Sequence, residues 1–314
     1  MGCSGSNVNS NSPKDDARIL KEAMDGLGTN EDKIIKICCS RNYMQRQQIL
    51  YEYKQLTQKE LVDDLNSELS GKFGKIITAL FEKPAVFDAK ELKKAVKGIG
   101  TDEDVLIEIL ANRNNYQLTE IKEEYKKLYD EELEEDLRSD CSGDLLKILL
   151  MIIDCKRKED MFVNEQECQQ KAQELYNAGE GQFGNDEGVF MKIFSSASPM
   201  EFCSISKYYQ KFSGKSIVEA IKSEFSGDFQ RILTTIAHSL TCPAEYFAER
   251  INHAIKGIGI DEDILIRIFV SRSDYDMKMI RDQYYKKYEK ELAVALENET
   301  SGDFKKALIE LCRK

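Results

Sequence analysis

The chain has 314 residues, of which 41% are hydrophobic and 32% charged, and its 45 basic against 56 acidic side chains give a net charge of −11. That composition supports a folded core, while four prolines and eighteen glycines exclude collagen-like or low-complexity chains. The acidic balance argues against nucleic acid, which is bound by neutralising phosphates, and against unaided electrostatic docking on anionic membranes.

The first residues, Met1-Gly2-Cys3-Ser4-Gly5-Ser6, fit the N-myristoylation pattern, with Gly2 as acceptor and Ser6 at the favoured position. Cys3 beside it is a candidate for S-palmitoylation, and two acyl chains anchor far more stably than one. The rest of the tail is polar, so residues 1–14 are expected to be a disordered, acylated arm. The other cysteines are scattered through apolar helical patterns and read as free thiols of a reducing compartment. No apolar run approaches the roughly 18 residues of a spanning helix; the richest, 145–153, contains Lys147.

Beyond the tail the chain repeats itself. S-G-x-[FL] turns begin at Ser70, Ser142, Ser226 and Ser301, at intervals of 72, 84 and 75 residues. Glycine loops precede them: Gly26-Leu27-Gly28-Thr29, Gly98-Ile99-Gly100-Thr101, Phe183-Gly184-Asn185 and Gly257-Ile258-Gly259-Ile260. The last glycines of those loops, 28, 100, 184 and 259, keep the same three intervals, so the chain is a tandem array of four units.

Apolar residues recur at helical spacing, as in Ile34, Ile35, Cys38 and Cys39, and no segment alternates with period two. The array is therefore all-α, each unit burying its stripes against itself and its neighbours. Thr29 with Asp32 and Thr101 with Asp104 read as capping boxes. Pro13 closes the tail, Pro84 the first unit and Pro243 the third, and Pro199 marks a helix end. The polar stretch 155–167 reads as a linker dividing the array into halves. The expected boundaries are 15–84, 85–156, a linker at 157–167, 168–243 and 244–314.

An acidic residue stands two positions before each serine: Glu68, Asp140, Glu224 and Glu299, each forty positions after its loop's last glycine. Ca2+ takes six to eight oxygens from carbonyls, carboxylates and water. Glycines let successive carbonyls turn towards one ion, and a carboxylate from a second turn closes the shell. Four pairs in one register make ordinary helix caps a poor account.

At these residues the chain resembles the annexins, from about Asp15 to the C-terminus. The resemblance rests on Lys97-Gly98-Ile99-Gly100-Thr101, the acid-x-Ser-Gly turns and the divergent loop Gly179-Glu180-Gly181-Gln182-Phe183-Gly184. It implies four repeats of about five helices in a curved, right-handed array, and Ca2+-dependent binding of acidic phospholipids through loops on its convex face. The implied calcium ligands are the carbonyls of Met24, Gly26 and Gly28 with Glu68; Val96, Gly98 and Gly100 with Asp140; Gly179, Gln182 and Gly184 with Glu224; and Ile255, Gly257 and Gly259 with Glu299. At the loop tips, Leu27, Ile99, Phe183 and Ile258 would add shallow apolar lipid contact.

The chain departs from the family pattern in places. Asp25 replaces a basic residue in the first loop, Asn185 and Ile260 replace threonines, and Asp261 is left to cap the helix that Ile260 cannot. Phe183 stands where relatives often have tryptophan. Arg41, Arg113 and Arg272 match an arginine at the end of a repeat's second helix, where repeat 3 has Ala197.

The resemblance implies a cytoplasmic protein, peripheral on the cytosolic face of membranes, in which four Ca2+ ions offset the net negative charge and bridge protein to lipid. Membrane–cytoskeleton linkage and self-assembly on the membrane are compatible with it. With two histidines, His238 and His253, and no nucleophile–base pair, no enzyme is expected. Gly179-x-Gly181-x-x-Gly184 spells a dinucleotide fingerprint but lacks its strand. The alternative function is a Ca2+-permeable channel, since Asp88, Glu91, Arg113 and Arg272 match positions lining the family's central hydrophilic channel.

Overall fold

The computed structural model describes residues 12–26, 28–98, 100–180, 184–257 and 259–314, and among them are twenty α-helices and no strand. Repeat 1 holds α1 (Pro13–Met24), α2 (Glu31–Ser40), α3 (Tyr43–Thr57), α4 (Leu61–Glu68) and α5 (Gly71–Ala79). Repeat 2 holds α6 (Pro84–Val96), α7 (Glu103–Ala111), α8 (Asn115–Tyr129), α9 (Leu133–Asp140) and α10 (Gly143–Ile153). Repeat 3 holds α11 (Glu165–Ala178), α12 (Glu187–Ser196), α13 (Pro199–Ser213), α14 (Ile217–Glu224) and α15 (Gly227–Thr241). Repeat 4 holds α16 (Pro243–Lys256), α17 (Glu262–Arg272), α18 (Met277–Tyr288), α19 (Leu292–Glu299) and α20 (Gly302–Cys312).

All four prolines open a helix (α1, α6, α13 and α16) rather than close a segment. At the first helical position the missing N–H costs nothing and the fixed φ is already helical.

The helices sort into two compact units. Unit 1 joins the residues up to Glu82 with Phe247–Lys314, so it is built from repeats 1 and 4; unit 2, Lys83–Tyr246, is built from repeats 2 and 3. Inside each unit the second helix of one repeat packs on the fifth of the other: α2 on α20 and α17 on α5 in unit 1, α7 on α15 and α12 on α10 in unit 2. Repeat 1 therefore shares its unit with the most distant repeat in the chain. Leu20, Ile34, Cys38, Leu265, Leu308 and Leu311 are wholly buried in unit 1, as are Leu106, Leu110, Ile148, Phe194 and Ile236 in unit 2.

This corrects the reading of 155–167 as a divider. The segment lies inside unit 2 and is fastened there: Lys158 N–H donates to Ser196 O (3.0 Å) and Asn115 Nδ2 to Arg157 O (2.8 Å). Its polarity reflects a half-exposed strap, with Arg157 donating to the Ala197 carbonyl at 3.3 Å.

One tyrosine recurs in each core: Tyr53, Tyr125, Tyr209 and Tyr284. Their hydroxyls reach Asp64 (2.7 Å), Asp136, Glu180 (3.2 Å) and Asn252 (3.1 Å), as a buried phenol must find a partner. The eight described cysteines are free thiols.

Candidate metal-binding loops

Each repeat's first helix runs into its glycine loop, and the last glycine adopts a left-handed backbone: φ +88° at Gly28, +90° at Gly100, +90° at Gly184 and +87° at Gly259. A Cβ at any of these would meet nothing within 4 Å, so the backbone conformation, not crowding, demands glycine there. Two residues on, the main chain closes back over the helix end: Asn30, Asp102, Asp186 and Asp261 donate their N–H to the carbonyls of Ala23, Ala95, Ala178 and Ala254, at 2.8–2.9 Å.

Those four residues are also the N-caps of the second helices. Their side-chain oxygens accept from Lys33, Val105, Val189 and Ile264 N–H at 3.0–3.3 Å. The capping boxes expected at Thr29 and Thr101 do not form: the caps lie one residue on, at Asn30 and Asp102, without a reciprocal side-chain bond, whereas Asp261 caps as expected. The threonines are engaged across the repeat instead. Thr29 Oγ1 donates to Glu68 Oε2 at 2.9 Å and Thr101 Oγ1 to Asp140 O at 3.1 Å. Asn185 Nδ2 donates to Glu224 O at 2.7 Å. Sequence reasoning missed this role, although positions 29, 101, 185 and 260 carry the same register as the glycines.

Glu68, Asp140, Glu224 and Glu299 are each the last residue of the fourth helix of their repeat. A carboxylate there faces the negative end of the helix dipole and carbonyls with no intrahelical partner, an arrangement that favours a cation. The structure brings loop and acid together in repeats 1 to 3 through the three hydrogen bonds. In repeat 3 a Cβ at Gly179 would lie 3.7 Å from Glu224 Cγ. Asn185 Oδ1 is buried there without a hydrogen-bond partner, an oxygen left over beside the third loop. Glu299 occupies the matching helix end in repeat 4.

Among the described residues no group of three or more His, Cys, Asp or Glu could hold a metal. The donors these loops offer are main-chain carbonyls with one carboxylate per repeat, a hard-cation set that suits Ca2+. Thiolate ligation is disfavoured: burial pushes the Cys38 thiol up to about 12 and the Cys141 and Cys312 thiols to about 11.

Met24 and Val96 end α1 and α6, Ile255 lies in the last turn of α16, and Gly26, Gly98, Gly179 and Gly257 follow their helices. Gln182, the loop-tip residues Leu27, Ile99, Phe183 and Ile258, and the acceptors Gly2 and Cys3 lie outside the described residues. Asp25 is exposed, 3.8 Å from Lys21, and closes α1 through its N–H. Glu180, in the third loop, accepts from Tyr209 and from Lys215 Nζ at 2.6 Å.

Of the four residues matched to a channel, Asp88 and Arg113 form a buried bidentate pair at 2.7 and 2.9 Å. Arg272, in unit 1, pairs with Asp276 (2.9 Å) and lies 4.7 Å from the Phe247 ring. Glu91 is buried in unit 2.

Four five-helix repeats, each pairing a glycine loop with a helix-terminal carboxylate, define an all-helical protein built to present oxygen-rich loops. The Annexin family model matches residues 15–80, 87–152, 170–236 and 246–311, and the chain belongs to the annexin family. It is 43% identical to annexin A13 of Homo sapiens over 296 residues, covering 94% of each chain. It is 42% identical to annexin A6 of Mus musculus over 297 residues, 95% of this chain but 44% of that one, so it spans less than half of the A6 relatives. Among solved structures, annexin III superposes with a TM-score of 0.92 at 42% identity, covering 97% of this chain and 95% of that one. Calcium-bound annexin (Sm)1 superposes at 0.88 with 29% identity, covering 96% and 90%. Annexins as a family are known for Ca2+-dependent phospholipid binding and are generally non-enzymatic.

Proposed function

We propose that this chain binds acidic phospholipid membranes in a Ca2+-dependent manner, peripherally and on the cytosolic face. The carrying observation is the fourfold register of glycine loop and helix-terminal acid, with the two hydrogen-bonded together in three repeats. The carbonyls of Met24, Gly26 and Gly28 with Glu68 would hold the ion of repeat 1, and Val96, Gly98 and Gly100 with Asp140 that of repeat 2. Gly179, Gln182 and Gly184 with Glu224, and Ile255, Gly257 and Gly259 with Glu299, would serve repeats 3 and 4.

Bound Ca2+ supplies positive charge and coordination positions for lipid phosphoryl and carboxyl oxygens. The chain contributes backbone oxygens fixed by the left-handed glycines and one carboxylate per loop. Leu27, Ile99, Phe183 and Ile258 add apolar contact at the interface, and acylation at Gly2 and Cys3 adds an anchor that needs no calcium. Because the same ion touches protein and lipid, membrane raises calcium affinity and calcium raises membrane affinity by one factor. A transport role has less support, since Asp88 and Arg113 are spent on each other and Arg272 on Asp276.

The test is co-sedimentation of unacylated protein with phosphatidylserine vesicles across a calcium series, with a chelator control. Binding should appear with calcium and reverse with chelator, and Glu68→Gln, Asp140→Asn, Glu224→Gln and Glu299→Gln should each weaken it. Absence of binding at millimolar calcium, or full binding by the quadruple variant, would overturn the proposal.

A further inference from the structure

The residue after the last loop glycine does something none of the ligand positions does. Thr29, Thr101 and Asn185 each reach 39 residues along the chain to the end of the helix that carries the closing acid. Two kinds of attachment occur. Thr101 and Asn185 hold the main-chain carbonyl of Asp140 and Glu224, an oxygen at a helix end with no intrahelical partner; Thr29 holds the Glu68 carboxylate itself. Repeat 4 breaks the pattern. Ile260 has no donor in its side chain, and the nearby hydroxyl of Thr300 is spent on Leu296 O at 2.6 Å, bracing α19 from within rather than tying it to the loop.

We propose that the residue following the last loop glycine is a positioning residue that latches loop and acid together before the cation arrives, and that repeat 4, lacking the latch, is the weakest of the four sites. This rests on the calcium reading above and deepens it. In the latched repeats, the carbonyl-bearing loop and the carboxylate-bearing helix end are already one assembly, so binding orders little that was free. In repeat 4 no described loop side chain holds the end of α19, so more of the ordering of Glu299 against the loop falls to the ion, and that cost is subtracted from its affinity. A neutral hydrogen bond is worth enough to change affinity about 3- to 10-fold. The sites would fill unevenly, repeat 4 following only when higher calcium or a membrane supplies the missing free energy.

The experiment uses the full chain and two readouts. Calorimetric Ca2+ titration is run on wild type, Ile260→Thr, Thr101→Val, and Glu299→Gln to identify the fourth site. Hydrogen exchange is followed at the four acid turns in calcium-free protein. Ile260→Thr should tighten the site that Glu299→Gln removes by about 3- to 10-fold and slow exchange at its turn. Thr101→Val should weaken the repeat 2 site by a similar factor and speed exchange around Asp140.

Unchanged exchange in both substitutions overturns the latch, as does a fourth site that binds as tightly as the others in wild type. The exchange readout needs no calcium, so it separates the two ideas. Turns that respond to the substitutions, in a protein that binds no calcium in any form, would overturn the functional reading and with it the ranking of sites.

Discussion

Asp16 and Arg41 meet inside repeat 1 through two charge-assisted hydrogen bonds, Nε to Oδ2 at 2.7 Å and Nη2 to Oδ1 at 3.0 Å, both side chains buried. The pair recurs at the same 25-residue separation as Asp88 and Arg113 in repeat 2. In repeat 3 the matching positions are Ala172 and Ala197, both wholly buried, and in repeat 4 they are Phe247 and Arg272. Both partners are lost together or the carboxylate is exchanged for an aromatic face; among these positions neither charge is left alone. Removing one partner of a buried pair typically costs about 3–5 kcal/mol, because the other charge is left uncompensated. Asp16→Ala should therefore destabilise the protein by that order, and Asp16→Ala with Arg41→Ala should cost clearly less than the sum of the singles. Urea unfolding of the four-member cycle checks this; strict additivity would refute it.

The third helix of every repeat ends in a left-handed residue: Gln58 (φ +60°), Asp130 (+57°), Gly214 (+76°) and Glu289 (+53°). Only repeat 3 has glycine, the residue that adopts that conformation without a Cβ penalty. Left-handed backbone costs an L-residue roughly 1–2 kcal/mol, partly offset by the greater freedom glycine loses on folding. Glu289→Gly should raise stability by up to about 1 kcal/mol, and Gly214→Ala should lower it by a similar amount. Denaturant midpoints report both, and a destabilised Glu289→Gly would contradict the argument.

Glu201 is 3% exposed, accepts from Lys158 Nζ at 2.9 Å and Ser198 N–H at 3.2 Å, and lies 3.7 Å from Lys171. Burial alone would raise its pKa, but these donors overcome it and hold the carboxyl below its ordinary 4.5. A group more acidic folded than unfolded contributes in full above the ordinary value, and its contribution is lost as pH falls through the folded one. Asp136 behaves alike: Lys93 and Tyr125 outweigh burial. Stability should thus fall on acidification below about pH 4.5. Glu201→Gln should cost on the order of 1–3 kcal/mol at neutral pH and flatten that acid limb. Unfolding midpoints from neutral pH to about pH 3 decide it; an acid limb of unchanged slope would remove Glu201 from the account.

The strap between repeats 2 and 3 should resist proteolysis where it is fastened. Asn115 holds it twice, through N–H to Glu159 Oε1 at 2.7 Å and Nδ2 to Arg157 O at 2.8 Å. Asn115→Ala removes the second bond, and loss of about 1 kcal/mol of local protection predicts roughly 5-fold faster tryptic nicking at Lys156 and Lys158. Mass spectrometry of timed digests measures this, and equal rates in both proteins would show the bond to be irrelevant.

Much of this was readable in advance because the informative residues answer local demands. A left-handed turn requires Gly28, Gly100, Gly184 and Gly259, and an acid at a fixed distance marks the fourth helix end, so the repeat and its pairing of loop with acid stand out in one chain. The caps were misplaced because Thr29 and Asn30 are both good capping residues, and only the presence of Glu68, 39 residues away, decides which one caps. The 155–167 segment misled because polarity reports exposure and says nothing of attachment. That repeat 1 shares a unit with repeat 4 depends on α2 meeting α20 and α5 meeting α17. Amphipathic periodicity shows that such faces exist without saying which face covers which.

The make-up of the two units also fixes an order of events during synthesis. Unit 2 is one uninterrupted stretch, Lys83–Tyr246, and its packing faces are all available once that stretch has emerged from the ribosome. Unit 1 is not: the helices before Glu82 await α17 and α20, which are translated only after unit 2. The helices made before unit 2 must therefore remain unfinished while unit 2 folds, with the apolar faces of α2 and α5 uncovered for the whole interval. Nascent-chain handling, rather than final stability, is where substitutions in repeat 1 that enlarge those faces would first be felt.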